Sequence, residues 1–357
     1  MTSFLRQELL AVPEVPHGSL AASEARGRAD VLDLSANLSP LGPHPAVVEA
    51  VRAASVGAYP EPDAETLRAA IAARVGVTPD QVVAGNGAAE LIWLAALATV
   101  RPGTPVPILG PTFGEYARAV EVAGGRPVEV RAAPPQFLPP VDAFADAIDR
   151  LAPPVAFLCN PNNPTGALLP GAAIERLLRV APTTLLVVDE AYLPFSGGPE
   201  LTPLLEWGNL LLVRSFTKSY GIPGVRLGYA LASATVATVL RRIAPPWSVN
   251  ALAVVAGLSA LADPAWEEEG RVAARAGLDR LAAGLRARRL SPVPSAANFL
   301  IVSVPDAAAV RRTLLARGVL VRDCASFGLP GYLRIAAGPP PAIDRLLAAW
   351  PAAEEAR

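Results

Sequence analysis

RSFTKSYGIPGVRLG, residues 214–228, holds the residue on which the reading of the whole chain turns. Lys218 is the only lysine in 357 residues; 31 positions are Lys or Arg, so the other 30 are arginine. Arginine supplies charge and a forked donor, but its guanidinium keeps its proton at any useful pH. A primary amine can lose its proton and attack a carbonyl; a guanidinium cannot. A lone lysine can also survive by chance on a solvated face, so the neighbours have to decide.

Working outward, candidate strands lie at 106–110, 127–131, 155–160, 185–192, 211–217 and 227–232, with helical stretches between them. Continuous apolar strands with intervening helices predict an α/β fold, a mostly parallel sheet covered by helices on both faces. Ligands in such sheets sit beyond the carboxyl ends of the strands. Residues 1–44 carry many breakers and one short strand, VLDLSAN, and read as an N-terminal arm packing with the small domain. Residues 45–250 form the expected large domain, which opens on helices at 45–54 and 63–75. Residues 251–357 form a smaller C-terminal α/β domain. Its pattern is a long helix near 264–289, then strand 298–304, helix 306–317, a strand near 319–322, strand 332–336 and helix 340–350.

Composition narrows the function classes. A net charge of −1 leaves no long-range field for nucleic acid or an anionic membrane, so neither partner is expected. The best apolar run, 88–100, falls short of a membrane span and contains Glu90. Two cysteines give no disulfide framework, and the N-terminus lacks a signal-peptide pattern. A cytoplasmic protein is expected. His17 and His44 sit in breaker-rich loops and make no metal site.

Four groupings carry chemistry. LLVVDEAY puts Asp189 at the end of a buried strand with Tyr192 three residues on. A carboxylate there needs a partner: a helix cap, an ion pair or a protonated ring nitrogen. CNPNNPTG (159–166) is a turn on any reading, and Asn163 could offer its amide to a ring hydroxyl and a carboxylate. AGNGAAEL (84–91) is a glycine turn running into a helix, whose amides near Gly87, Ala88 and Ala89 suit an anion. Ser215 and Arg226 flank Lys218 and could hold a phosphate while the amine reaches an aldehyde of the same ligand.

The order GNG, PTFGEY, NPNNPTG, DEAY, SFTKSYGIPGVRLGY and LRIA resembles the fold-type-I pyridoxal-phosphate enzymes of the class I/II aminotransferase family, across nearly the whole chain. The resemblance implies pyridoxal 5'-phosphate as cofactor, bonded covalently to Lys218. It places Phe113 on the cofactor ring, Asn163, Asp189 and Tyr192 at its polar edge, and Ser215 and Arg226 on its phosphate. It also implies a homodimer in which Tyr59, in AYPEPD, reaches the other subunit's phosphate site. Arg334 matches a substrate-carboxylate clamp, and Arg322, helped by His17, a second anion clamp; ion-paired surface arginines are the alternative. ANLSPLG (36–42) and YPEPD fit two branches that act on small phosphorylated amines or amino acids, threonine-phosphate decarboxylase and histidinol-phosphate aminotransferase. PHGSL, PPWSVNALA and VRDCASFGL lean towards the first. The expected reaction is therefore decarboxylation of L-threonine O-3-phosphate to aminopropanol phosphate, for cobalamin side-chain synthesis. The alternative is a histidinol-phosphate aminotransferase using glutamate and 2-oxoglutarate.

Overall fold

A strand that is apolar at every position must be covered on both faces, and the computed structural model places such strands in the middle of a seven-stranded sheet. The structure describes residues 6–16, 18–19, 23 and 25–352. In chain order the strands are β1 (Leu32–Asp33), β2 (Val82–Gly85), β3 (Pro105–Gly110), β4 (Arg126–Arg131), β5 (Val155–Cys159) and β6 (Leu185–Asp189). They continue with β7 (Leu210–Ser215), β8 (Gly228–Ala232), β9 (Phe299–Ser303), β10 (Val319–Leu320), β11 (Arg322–Asp323) and β12 (Tyr332–Ala336). The large sheet runs β2-β8-β7-β6-β5-β3-β4. From β7 to β4 it is parallel; β8 is antiparallel to both its neighbours.

Every residue of β5, β6 and β7 is buried. Because strand side chains alternate, Val155, Phe157, Val187 and Val213 feed one core, and Ala156, Leu158, Val188 and Leu212 feed the other. Full burial of each large apolar side chain is worth about 1.5–3 kcal/mol, so both faces hold the sheet in place. At one edge, β4 exposes Arg126, Glu129 and Arg131, charges that discourage pairing with another chain.

The helices expected at 45–54, 63–75 and 264–289 are Pro45–Ala53, Glu65–Val75 and Ala265–Ala287. His44 caps the first of them. Its Nδ1 accepts the Ala46 N–H at 3.1 Å, which leaves Nε2 to face Asp263, also at 3.1 Å.

Three details differ from the sequence reading. The short strand β2 was not expected. The strand VLDLSAN shrinks to the two residues of β1. The strand expected near 319–322 divides: β10 pairs in parallel with β1, while β11 joins the antiparallel sheet β11-β12-β9. Val319, Leu320 and Val321 are all buried in succession, which one face of a pleated strand cannot satisfy, so the chain passes there from one sheet to the other. Among the described residues no helix is long and apolar enough to cross a membrane.

Candidate active site

The carboxyl ends of β5, β6 and β7 open into a cavity of about 870 Å³. Strand alternation sends Asp189 into this cavity, while Glu190, one residue on, lines a different one. Asp189 is only 4% exposed. Its Oδ1 accepts the Ala191 N–H at 2.9 Å and its Oδ2 the Tyr116 hydroxyl at 2.7 Å. Burial raises its pKa; the Tyr116 hydroxyl, the Ala191 amide and the charge of Lys218 oppose that rise in decreasing order. Its two hydrogen-bond donors are neutral, which suits a carboxylate that is to meet a protonated ring nitrogen. Tyr192 projects its hydroxyl to the Asn37 amide at 3.1 Å, and Phe113 meets the ring of Tyr116 edge-on at 5.7 Å.

On the opposite side the helix Ala88–Thr99 starts at Gly87, whose φ of 79° favours glycine. A Cβ on Gly87 would stand 2.6 Å from Nη2 of Arg226, and one on Gly228 would stand 2.5 Å from the Ala88 nitrogen. The missing side chains thus let a guanidinium and a helix N-terminus converge on one spot. Ser215 and Thr217 add hydroxyls 2.8 Å apart. Amides, hydroxyls and a guanidinium in this arrangement form a cradle for a phosphate. Arg226 itself is left-handed, at φ 61°, a conformation that costs about 1–3 kcal/mol outside glycine.

Lys218 lies between these two groups and lines the same cavity. Burial, then the charges of Arg334 and Arg226, lower its pKa to about 8, with Asp189 pulling the other way. About one amine in ten is then neutral at pH 7, against one in a few thousand for a free lysine. The buried acid, the glycine-cleared cradle and the amine between them fit pyridoxal phosphate.

Arg322 and Arg334 face each other across β11 and β12, and both line the cavity. Arg334 is 5% exposed; its Nη1 donates to Asn163 Oδ1 and its Nη2 to the Ser35 carbonyl at 2.8 Å. Arg322 Nη2 donates to the Pro16 carbonyl at 2.8 Å and to Ser326 Oγ at 2.7 Å. These acceptors are neutral, and among the described residues the Nε of each arginine has no hydrogen-bond partner. Among the described residues neither arginine is ion-paired, unlike the surface pairs that the sequence leaves as the alternative.

Of the other residues singled out, Ala88, Ala89, Phe113, Asn163, Tyr192, Ser215 and Arg226 also line the cavity, and Gly87 stands directly behind as the helix cap. Tyr59 does not; it is 83% exposed and packs on Trp247 at 4.9 Å between ring centres. His17 lies outside the described residues. Sequence reasoning assigned nothing to Tyr116 or Asn37, although PTFGEY and ANLSPLG contain them. Arg214, just before the SFTK motif, reads from sequence as structural.

Arg214 is paired on the sheet's other face. Its Nε donates to Glu190 Oε2 at 2.7 Å and its Nη2 to Glu200 Oε1 at 2.6 Å. Glu190 is 0% exposed, and burial pushes its pKa up to about 7 despite the arginine. Removing one partner of a buried pair strands the other charge. Arg214→Met is therefore expected to cost about 3–5 kcal/mol in denaturant unfolding, because the buried Glu190 loses the guanidinium that donates to it, while Glu200 keeps the Thr202 amide and hydroxyl.

A family model described as aminotransferase class I and II matches residues 29–349. Histidinol-phosphate aminotransferase 2 of Pseudomonas aeruginosa is 38% identical over 348 residues, covering 95% of this chain and 93% of that protein. The crystal structure of histidinol-phosphate aminotransferase from Sinorhizobium meliloti in complex with pyridoxal-5'-phosphate superposes with a TM-score of 0.88 at 27% identity, covering 100% of this chain and 98% of that one. L-threonine-O-3-phosphate decarboxylase from Porphyromonas gingivalis matches with a TM-score of 0.76 at 29% identity, covering 88% and 97%.

These findings correct the expected reaction. Curated relatives from several species, at 34–40% identity, are named histidinol-phosphate aminotransferase, so the decarboxylase reading does not hold. The physical reason is visible in VRDCASFGL, which supplies Arg322. A guanidinium that can receive a phosphate monoester suits either substrate and cannot tell the two reactions apart.

Proposed function

The chain belongs to the aminotransferase class I and II family and uses pyridoxal phosphate, and from that premise we propose that it exchanges the amino group between histidinol phosphate and 2-oxoglutarate. The observation that carries the substrate is the pair Arg322 and Arg334, two guanidiniums side by side whose acceptors among the described residues are neutral. They stand apart from the cradle of Ser215 and Arg226, so the cavity offers a second anion site. The phosphate of histidinol phosphate and the carboxylates of glutamate can occupy it in turn, as a two-substrate transfer requires.

When bound, pyridoxal phosphate supplies an electron sink for the pair left at the substrate's α-carbon. The chain's residues do the rest. Ser215, Arg226 and the amides of Ala88 and Ala89 would hold the phosphate end, and Asp189 would keep a proton on the ring nitrogen at the other. Phe113 would lie against the ring. Arg322 and Arg334 fix the substrate's anionic end and so orient its α-hydrogen. Lys218 Nζ, lowered towards neutrality by its surroundings, would act as the base that takes the α-proton and, once protonated, as the acid that gives it back across the nitrogen. Tyr59, exposed with Trp247, serves a second copy of the chain by reaching its cofactor phosphate.

Purified enzyme given histidinol phosphate and 2-oxoglutarate is expected to form glutamate over many turnovers. Absence of glutamate here, with glutamate formed from an aromatic amino acid instead, would overturn the substrate and keep the amino transfer.

A further inference from the structure

We infer that Tyr116 is a positioning residue for the cofactor, its phenol fixing the Asp189 carboxylate so that the acid stays charged against the ring nitrogen. The inference rests on the reading of Asp189 as the partner of that nitrogen.

Three observations carry it. The hydroxyl lies 2.7 Å from Asp189 Oδ2, while Oδ1 is held by the Ala191 N–H, so each oxygen has one donor and the carboxylate plane is set. The phenol cannot swing away. Tyr116 is 0% exposed, its ring stacks on Phe157 at 5.7 Å and 13°, and the Phe113 ring abuts it at 85°. The donor is also of the right kind. A lysine or arginine in its place would neutralise Asp189 and compete with a cationic ring, whereas a neutral O–H supports the charge and leaves it available.

Two further effects agree. Burial alone pushes Asp189 towards the neutral acid, and the Tyr116 hydroxyl is the foremost influence against that. Tyr116 keeps its own proton, because burial and the adjacent Asp189 hold its pKa well above the usual phenol value. Through its contact with Phe113 the same side chain also braces the residue assigned to the face of the ring.

Tyr116→Phe removes the hydroxyl and keeps every ring contact, so wild type and variant can be compared on two ligands after the cofactor is stripped. One is pyridoxal phosphate; the other is its 1-deaza analogue, with C–H in place of the ring nitrogen. Dissociation constants come from fluorescence titration, and a thermal melt of each protein checks the fold. Wild type is expected to bind pyridoxal phosphate at least about tenfold more tightly than the analogue, as a charge-assisted contact implies. Tyr116→Phe is expected to weaken pyridoxal phosphate about tenfold and leave the analogue within about twofold. Equal weakening of both ligands would make Tyr116 a packing residue and overturn the inference, as would no change in either. If wild type fails to distinguish the two ligands, the reading of Asp189 itself falls, whatever the variant does.

Discussion

Lys218→Ala is expected to abolish turnover, by about four orders of magnitude or more, and to remove the visible absorption band of lysine-bound cofactor. The chain has no second lysine, and among the described residues the other basic side chains of the cavity are arginines. Lys218→Arg should fare no better, since a guanidinium cannot release the proton that attack on a carbonyl requires. Asp189, the cradle at Gly87 and the Arg322–Arg334 pair remain intact in the variant, so cofactor should still bind non-covalently, and an added small primary amine should restore part of the band. A band that persists in Lys218→Ala without added amine would sink the assignment.

Arg334→Lys is expected to lower kcat/KM about 100-fold for histidinol phosphate and for glutamate alike. The guanidinium reaches Asn163 and Ser35 with separate nitrogens, a fork that one ammonium cannot reproduce. Losing a buried, charge-assisted pairing costs about 2–5 kcal/mol, and 1.4 kcal/mol is a factor of ten. Arg322→Gln should divide the substrates differently, raising KM for histidinol phosphate far more than for an unphosphorylated amino acid. Steady-state kinetics with both donors checks the pair. Equal effects of Arg322→Gln on both donors would mean that Arg322 holds the arm through the Pro16 carbonyl and does not read the phosphate.

Much of the fold was legible because its central strands are uniformly apolar. β5, β6 and β7 announce themselves, and residues at or shortly after their ends, Asn163, Asp189 and Ser215, line the cavity. β2 was not legible, since a four-residue strand at the edge of a sheet leaves almost no pattern. The division at Val321 was hidden for another reason: the partners of a strand are chosen by distant segments. The same limit applies in the site. Lys218, Ser215 and Arg226 sit within one motif and could be read together. Tyr116 meets Asp189 across 73 residues of sequence and Asn37 meets Tyr192 across 155, and no local spacing encodes either contact. Tyr59 stays exposed against Trp247, outside the cavity.

The two arginines come from the three-stranded sheet, and the residues proposed to hold the cofactor come from loops and strand ends of the seven-stranded one. Backbone pairing of Arg322 with Arg334 fixes the spacing of the two guanidiniums independently of the cofactor's anchor points. Such a division of labour bears on how these enzymes diverge. A lineage can exchange side chains at two register positions of a small sheet and acquire a new substrate, while the costly electronic half of the machinery passes down unaltered.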